Sequence, residues 1–221
     1  TLPSGIRISG PAGTTQATDI EPEYVSILGN TAYVTLQENN GVAKVNLKTN
    51  TIETIFALGS VDFSTQLVDI TDRDGPPPVG SSTGTPLIKP VLGNNVVGLR
   101  MPDGVAAFST KGKDYFITAN EGDGREYGTA GTPGFYLDET RRLGRLKTLS
   151  EDTTAPFTAF GSRSVSIFDA KTGSLVWDSG NTLQTIAIAA GVYDDTRSDD
   201  KGVEPEGVVV KQLNGRTYAI V

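Results

Sequence analysis

The chain has 221 residues, 37% of them apolar, and 26 acidic against 19 basic side chains, for a formal net charge of −7. It contains neither cysteine nor histidine, which excludes disulfides, thiolate nucleophiles, a Ser-His-Asp triad and His- or Cys-ligated transition metals. The acid excess and the lack of a basic stripe argue against a nucleic-acid partner, and the longest apolar stretch, 186–192, is far short of the roughly 20 residues of a membrane span.

In chain order, the first clear unit begins at Glu21-Pro22-Glu23-Tyr24. This acidic, proline-marked turn feeds Val25 to Leu28, a Gly29-Asn30 turn and Tyr33-Val34-Thr35-Leu36. Lys44 to Ile52 then reads as strand, turn at Asn50, strand, because Asn and Gly tolerate the positive φ of hairpin turns. Strands are expected at 24–28, 31–36, 42–47 and 51–57. A long connection, 59–101, follows. Within it Asp69 to Gly75 partly resembles a calcium loop, but it lacks the ligand spacing and closing Glu of an EF-hand.

Met101-Pro102-Asp103-Gly104 opens the second unit, with strands expected at 104–109, 114–119, 163–169 and 173–177 and an insertion at 120–162. Ile167 to Leu175 repeats the pattern of Lys44 to Ile52, with Gly173 at the turn. In the insertion, Gly122-Asp123-Gly124 is no phosphate loop, since no helix and no Lys-Ser/Thr follow it. Arg141, Arg142, Arg145 and Lys147 read as a solvated loop with local ion pairs, and Trp177 as outer-strand packing. After a third connection, 178–203, Glu204-Pro205-Glu206-Gly207 feeds strands at 208–212 and 218–221 around Asn214-Gly215.

Three copies of one supersecondary unit must stack to bury their apolar faces. Tandem four-stranded antiparallel units are the blades of a β-propeller, so the expected fold is all-β: a partial propeller of about two and a half blades. The expected parts are a blade at 24–58, an insertion at 59–101, a blade at 104–178 with its insertion at 120–162, a loop at 178–203 and a half blade at 206–221. An all-β sandwich with coincidental hairpins is the alternative. A propeller closes with roughly 4–8 blades, so the remaining blades are expected from further chain, either the rest of a longer protein or a second polypeptide.

In such a blade the 4→1 and 2→3 connections share one face, and here that face receives all three long insertions. It also receives Glu21, Glu23, Asp103, Glu204 and Glu206, where innermost strands begin, and Glu38, Glu121 and Asp123, where second strands end. Converging carboxylates repel unless a cation or proton neutralises them, and oxygen-bound Ca²⁺ is the expected cofactor. Glu21, Glu23, Asp103, Glu121, Asp123, Glu204 and Glu206 are the candidate metal ligands; Arg125, Arg163 and Lys201 are candidate anion-binding groups. The competing reading has each Glu capping its own turn or pairing with a nearby Arg or Lys.

Asp19 to Tyr24, Tyr33 to Asn40, Thr118 to Asp123, Leu143 to Lys147, and Ser198 to Gly202 followed by Glu204 to Gly207 resemble, in order, the choice-of-anchor I family. The resemblance runs from about residue 10 onward and implies a secreted or surface-anchored β-propeller domain, extracellular or periplasmic. Some relatives are labelled alkaline phosphatase-like or phytase-like. Two functions therefore stand open: a non-catalytic module that binds an extracellular protein, glycan or matrix component, and a metal-dependent phosphoester hydrolase.

Overall fold

The computed structural model describes residues 1–143 and 145–221. After a one-turn helix α1 (Gln16–Asp19), β1 (Val25–Leu28), β2 (Thr31–Leu36), β3 (Gly41–Asn46) and β4 (Thr51–Ala57) form an antiparallel meander in the order β1-β2-β3-β4. Positive φ at Gly29 and Asn50 makes its tight turns. The connection 59–101 contributes β5 (Ser60–Asp62) and β6 (Val96–Leu99). Then come β7 (Val105–Thr110) and β8 (Lys113–Asn120), joined by Lys111-Gly112 with φ 50° and 73°, the two positive values of a two-residue hairpin.

The insertion 120–162 holds β9 (Glu126–Tyr127), β10 (Tyr136–Leu137), β11 (Glu139–Arg142), β12 (Leu146–Leu149) and β13 (Phe157–Ala159). With β14 (Ser164–Asp169) and β15 (Leu175–Asp178) the second sheet is completed in the order β15-β14-β8-β7. Helix α2 (Thr182–Ala189) precedes the last hairpin, β16 (Val209–Leu213) and β17 (Arg216–Ile220). The molecule is all-β in character, with several antiparallel sheets, none of them closed on itself among the described residues. The expected strands of the three repeats lie within two residues of the observed ones.

The long connections are not structureless, which corrects the expectation of loops. β5 and β6 from one and β11, β12 and β13 from another build a single five-stranded sheet, β11-β12-β13-β6-β5, whose β13–β6 pairing is parallel. Its own core is Val61, Phe63, Val68, Ile70, Val96, Leu146 and Ala159. In the third connection, α2 runs until Gly191, whose φ of 69° suits the left-handed residue just past a helix end.

The repeats pack in series. Tyr33, Val42 and Phe56 of the first sheet meet Val105, Phe116 and Phe168 of the second, and Phe116 stacks on Tyr33, Phe56 and Phe168 at centroid distances of 5.4, 5.9 and 5.1 Å. On its other face the second sheet presents Ala106, Ile117 and Val165 to Val208 and Val210 of the last hairpin. The first strands of successive repeats adjoin: Ala107 N–H donates to Ser26 Oγ at 2.9 Å, and Gly104 N–H to the Glu206 carbonyl at 3.0 Å. Met101 and Glu204, each preceding a proline, share a positive φ of 43° and 44°, a feature of the second and third repeats that Glu21 of the first does not have.

Candidate functional site

The carboxylates that open the repeats lie within one another's fields. Asp103 is buried, and burial first, then Glu121, Glu23 and Glu206, push its carboxyl up to about 6, with Lys201 opposing. Those three acids come from three different repeats. Glu23 is raised by partial burial and then by Asp123, Glu21 and Glu121. Glu38 is raised as well: burial, then Glu23 and Glu21, push it up to about 7 against its own backbone hydrogen bond and Arg125. Glu38 is 8% exposed, and its Oε2 accepts no hydrogen bond from the protein.

The rim carries its own cations. Lys201 Nζ lies 2.7 Å from Glu121 and 3.8 Å from Asp123. Glu121 also accepts from Gln37 Nε2 at 3.2 Å. Arg125 Nη1 lies 2.7 Å from Glu21, while its Nη2 donates to the Asp19 carbonyl at 2.6 Å and to Asp19 Oδ2 at 3.2 Å. Tyr127 donates its hydroxyl to Glu21, and Arg125 Nε donates to Ser9 Oγ at 2.9 Å. Glu204 pairs with Arg197 of the preceding connection at 2.6 Å. Glu206 is exposed.

Of the candidate anion-binding groups, Arg125 is thus enclosed among internal partners. Arg163 is fully buried and donates to the carbonyls of Asp69, Ser198 and Asp200, clamping two connections together. Lys201 is held by Glu121. Among the described residues no three acidic side chains are grouped so as to hold a metal ion.

Two acidic stretches far apart in sequence, 69–75 and 194–200, come together around the basic cluster. Asp199 accepts from Arg141 at 2.6 Å and Arg145 at 3.1 Å, Asp72 lies 3.6 Å from Arg145, and Lys147 bridges Asp200 at 3.0 Å and Glu139 at 3.2 Å. The ion pairs of Arg141 and Arg145 are therefore long-range, not local. Burial, opposed by the Lys89 N–H and reinforced by Asp195, pushes Asp69 up to about 6.

Sequence reasoning placed Glu38 on this face without singling it out, and missed Asp19, Gln37, Asp138 and Arg7. Asp19 receives Gly10 N–H at 2.7 Å and Asn39 Nδ2 at 2.9 Å, and Asp138 receives Arg125 N–H at 2.8 Å and Arg7 Nη1 at 2.7 Å. The only local signal was Asp19 standing directly before Ile20-Glu21-Pro22. Trp177 is half exposed on β15.

Antiparallel sheets packed in series, with Asp103 in the fields of Glu121, Glu23 and Glu206, define an all-β domain with an acidic cluster between its repeats. The chain belongs to the choice-of-anchor I family: the model of the choice-of-anchor I domain matches residues 1–221. The family name points to a surface-associated domain. Searches of curated proteins and of solved structures found no match. Among the described residues no helix is long and apolar enough to cross a membrane.

Proposed function

We propose that this domain is an extracellular or cell-surface β-propeller module whose acidic rim binds a glycan, protein or matrix ligand, with Ca²⁺ drawn to the carboxylates. Its four-stranded sheets are the blades. Support for that arrangement comes from β1, β7 and β16, the first strands of three successive repeats, lying side by side while their sheets stack face to face.

One arrangement carries the binding reading: the buried Asp103 stands in the fields of Glu121, Glu23 and Glu206, from three repeats, and burial first, then these acids, push its carboxyl up to about 6. A rim in that state gains by taking up positive charge from outside. Glu23, Asp123 and Glu206 are exposed, so uptake of Ca²⁺ would proceed by their turning toward Asp103 and Glu121. The phosphoester-hydrolase reading has less support, because Arg125, Arg163 and Lys201 already serve internal oxygens.

The test is a binding panel of immobilised extracellular polysaccharides and matrix proteins, run with Ca²⁺ and with EDTA. Capture that weakens in EDTA and in a Glu23→Gln/Asp103→Asn/Glu206→Gln variant supports the proposal. Absence of any capture, together with metal-dependent turnover of an aryl phosphate, would replace it with the hydrolase.

A further inference from the structure

We propose that the cleft between the first two four-stranded sheets, at the end where their tight turns lie, is a binding site for an acidic saccharide, a sugar that carries a carboxylate or a sulfate. The site stands away from the acidic rim, and the inference does not rest on the binding reading above.

The cleft is built by the repeat itself. Tyr33 of β2 and Lys44 of β3 line one side, and Lys113 and Asp114 at the start of β8, with Asp169 and Lys171 at the end of β14, line the other. Together they border about 460 Å³, within the range of small-ligand sites. The six residues of β2 separate this end from Gln37 and Glu38, which puts the cleft about 20 Å from the rim at the rise of an extended strand. Both sides are firmly held. The Tyr33 ring stacks on Phe116 at 5.4 Å, and the β14–β15 turn comes so near the first sheet that a Cβ on Gly173 would stand 2.2 Å from the Phe56 ring. Ala170 N–H donates to the Asp114 carbonyl at 3.0 Å and ties the two turns of the second sheet together.

The polar groups define the occupant. Lys44 already pairs with Glu53 at 3.3 Å, whereas neither Lys113 nor Lys171 forms an ion pair among the described residues. The acids are half occupied. Asp169 Oδ1 accepts from Lys171 N–H, Thr172 N–H and the Thr172 hydroxyl at 3.0, 2.9 and 3.0 Å, and Asp114 Oδ1 accepts from the Ser109 hydroxyl. Each Oδ2 takes no hydrogen bond among the described residues. Two ammonium groups available to an anion thus stand beside two carboxylate oxygens available to hydroxyls. A bare anion is repelled by the acids. A neutral sugar finds no aromatic face, because Tyr33 is 3% exposed and offers only its hydroxyl. That hydroxyl donates to the Ala170 carbonyl at 3.4 Å, a long bond that a ligand oxygen can replace. An anion and hydroxyls on one molecule use both sets of groups, through charge-assisted hydrogen bonds.

The test is an NMR titration of the isotope-labelled 221-residue chain with galacturonic acid and with a sulfated galactose, using galactose and inorganic sulfate as controls. Both acidic sugars should shift the amides of 112–114 and 169–172. Lys113→Gln and Lys171→Gln should each raise Kd about tenfold, and salt should weaken binding. Both lysines are exposed, so Tm should hold. Asp114→Ala should lower the preference for the sulfated sugar over sulfate, since it removes a hydroxyl acceptor. The Glu23→Gln/Asp103→Asn/Glu206→Gln variant should bind like the wild type, so failure of the rim reading and failure of this one are told apart. Absence of shifts at millimolar acidic sugar overturns the proposal. So does galactose binding as well as the acidic sugars, sulfate alone binding as tightly as the sulfated sugar, or loss of binding in the rim variant.

Discussion

Lys201 Nζ sits 2.7 Å from Glu121 Oε1, and the same carboxylate takes a hydrogen bond from Gln37, so one side chain joins the first sheet, the second sheet and the connection 178–203. Both members of the pair are largely buried, with side-chain exposures of 14% and 12%. Breaking a buried pair strands a charge, whereas removing both partners does not. Lys201→Met should therefore cost about 3 kcal/mol in urea unfolding. The Lys201→Met/Glu121→Gln double variant should recover about half of that, giving a clear coupling energy in a double-mutant cycle. Additive losses would mean that the pair contributes little.

The raised carboxyls set a pH dependence whose sign is opposite to common acid denaturation. Glu38 moves from 4.5 to about 7 and Asp103 from 3.8 to about 6, so between those values the folded chain holds more protons than the unfolded chain. Stability then falls as pH rises through about 4 to 7 and levels off above. Asp62, Asp169 and Asp194 are lowered by hydrogen bonds in their turns, and Glu53 on β4 by Asn46 and Lys44 of β3, so their contribution is lost below the ordinary carboxylate range. Tm should peak near pH 5 and be lower at pH 8. Glu38→Gln should flatten the alkaline limb and stabilise the chain at pH 8 by about 2 kcal/mol. A Tm that climbs steadily to pH 8 would contradict this assignment.

The interface between the first two sheets concentrates on Phe116, which is fully buried and stacked on three rings. Phe116→Ala should cost about 4 kcal/mol, through lost transfer energy and the cavity left behind. Trp177→Ala, at a half-exposed site on β15, should cost under about 1 kcal/mol. Equal losses at the two sites would contradict the serial packing of the repeats.

The four-stranded sheets were legible because one strand-turn-strand motif recurs along the chain and its turns carry residues suited to positive φ, as at Asn50, Gly112 and Gly173. The five-stranded sheet was not. Val96 to Gly98 and Phe157 to Ala159 are three-residue runs that pair in parallel across about sixty residues, too short for periodicity and too distant for a hairpin signal. The proline-marked turns that carry Glu21, Asp103 and Glu206 were legible as the openings of the repeats. The partners of the nearby acids were not, because Arg125 and Lys201 arrive from connections whose path no local pattern encodes.

Gly104 tests the contact between the second repeat and the last hairpin. Its N–H donates to the Glu206 carbonyl at 3.0 Å, and a Cβ there would stand 2.5 Å from that oxygen and 3.1 Å from the Val208 nitrogen. Both obstacles are backbone, so no side chain can swing aside, and the two repeats must separate. Gly104→Ala should destabilise the chain by about 2 kcal/mol, in the range of overpacked interiors. The damage should be local. Amide exchange should quicken first in 209–220, where Val208 and Val210 lose their seat on Ala106 and Ile117, while the sheet of β1 to β4 keeps its protection. Serine should behave like alanine, since the steric conflict begins at Cβ. Wild-type exchange in the hairpin of G104A would show that the two backbones can part without undocking it, and the close approach at Gly104 would then not be what holds the third repeat in place.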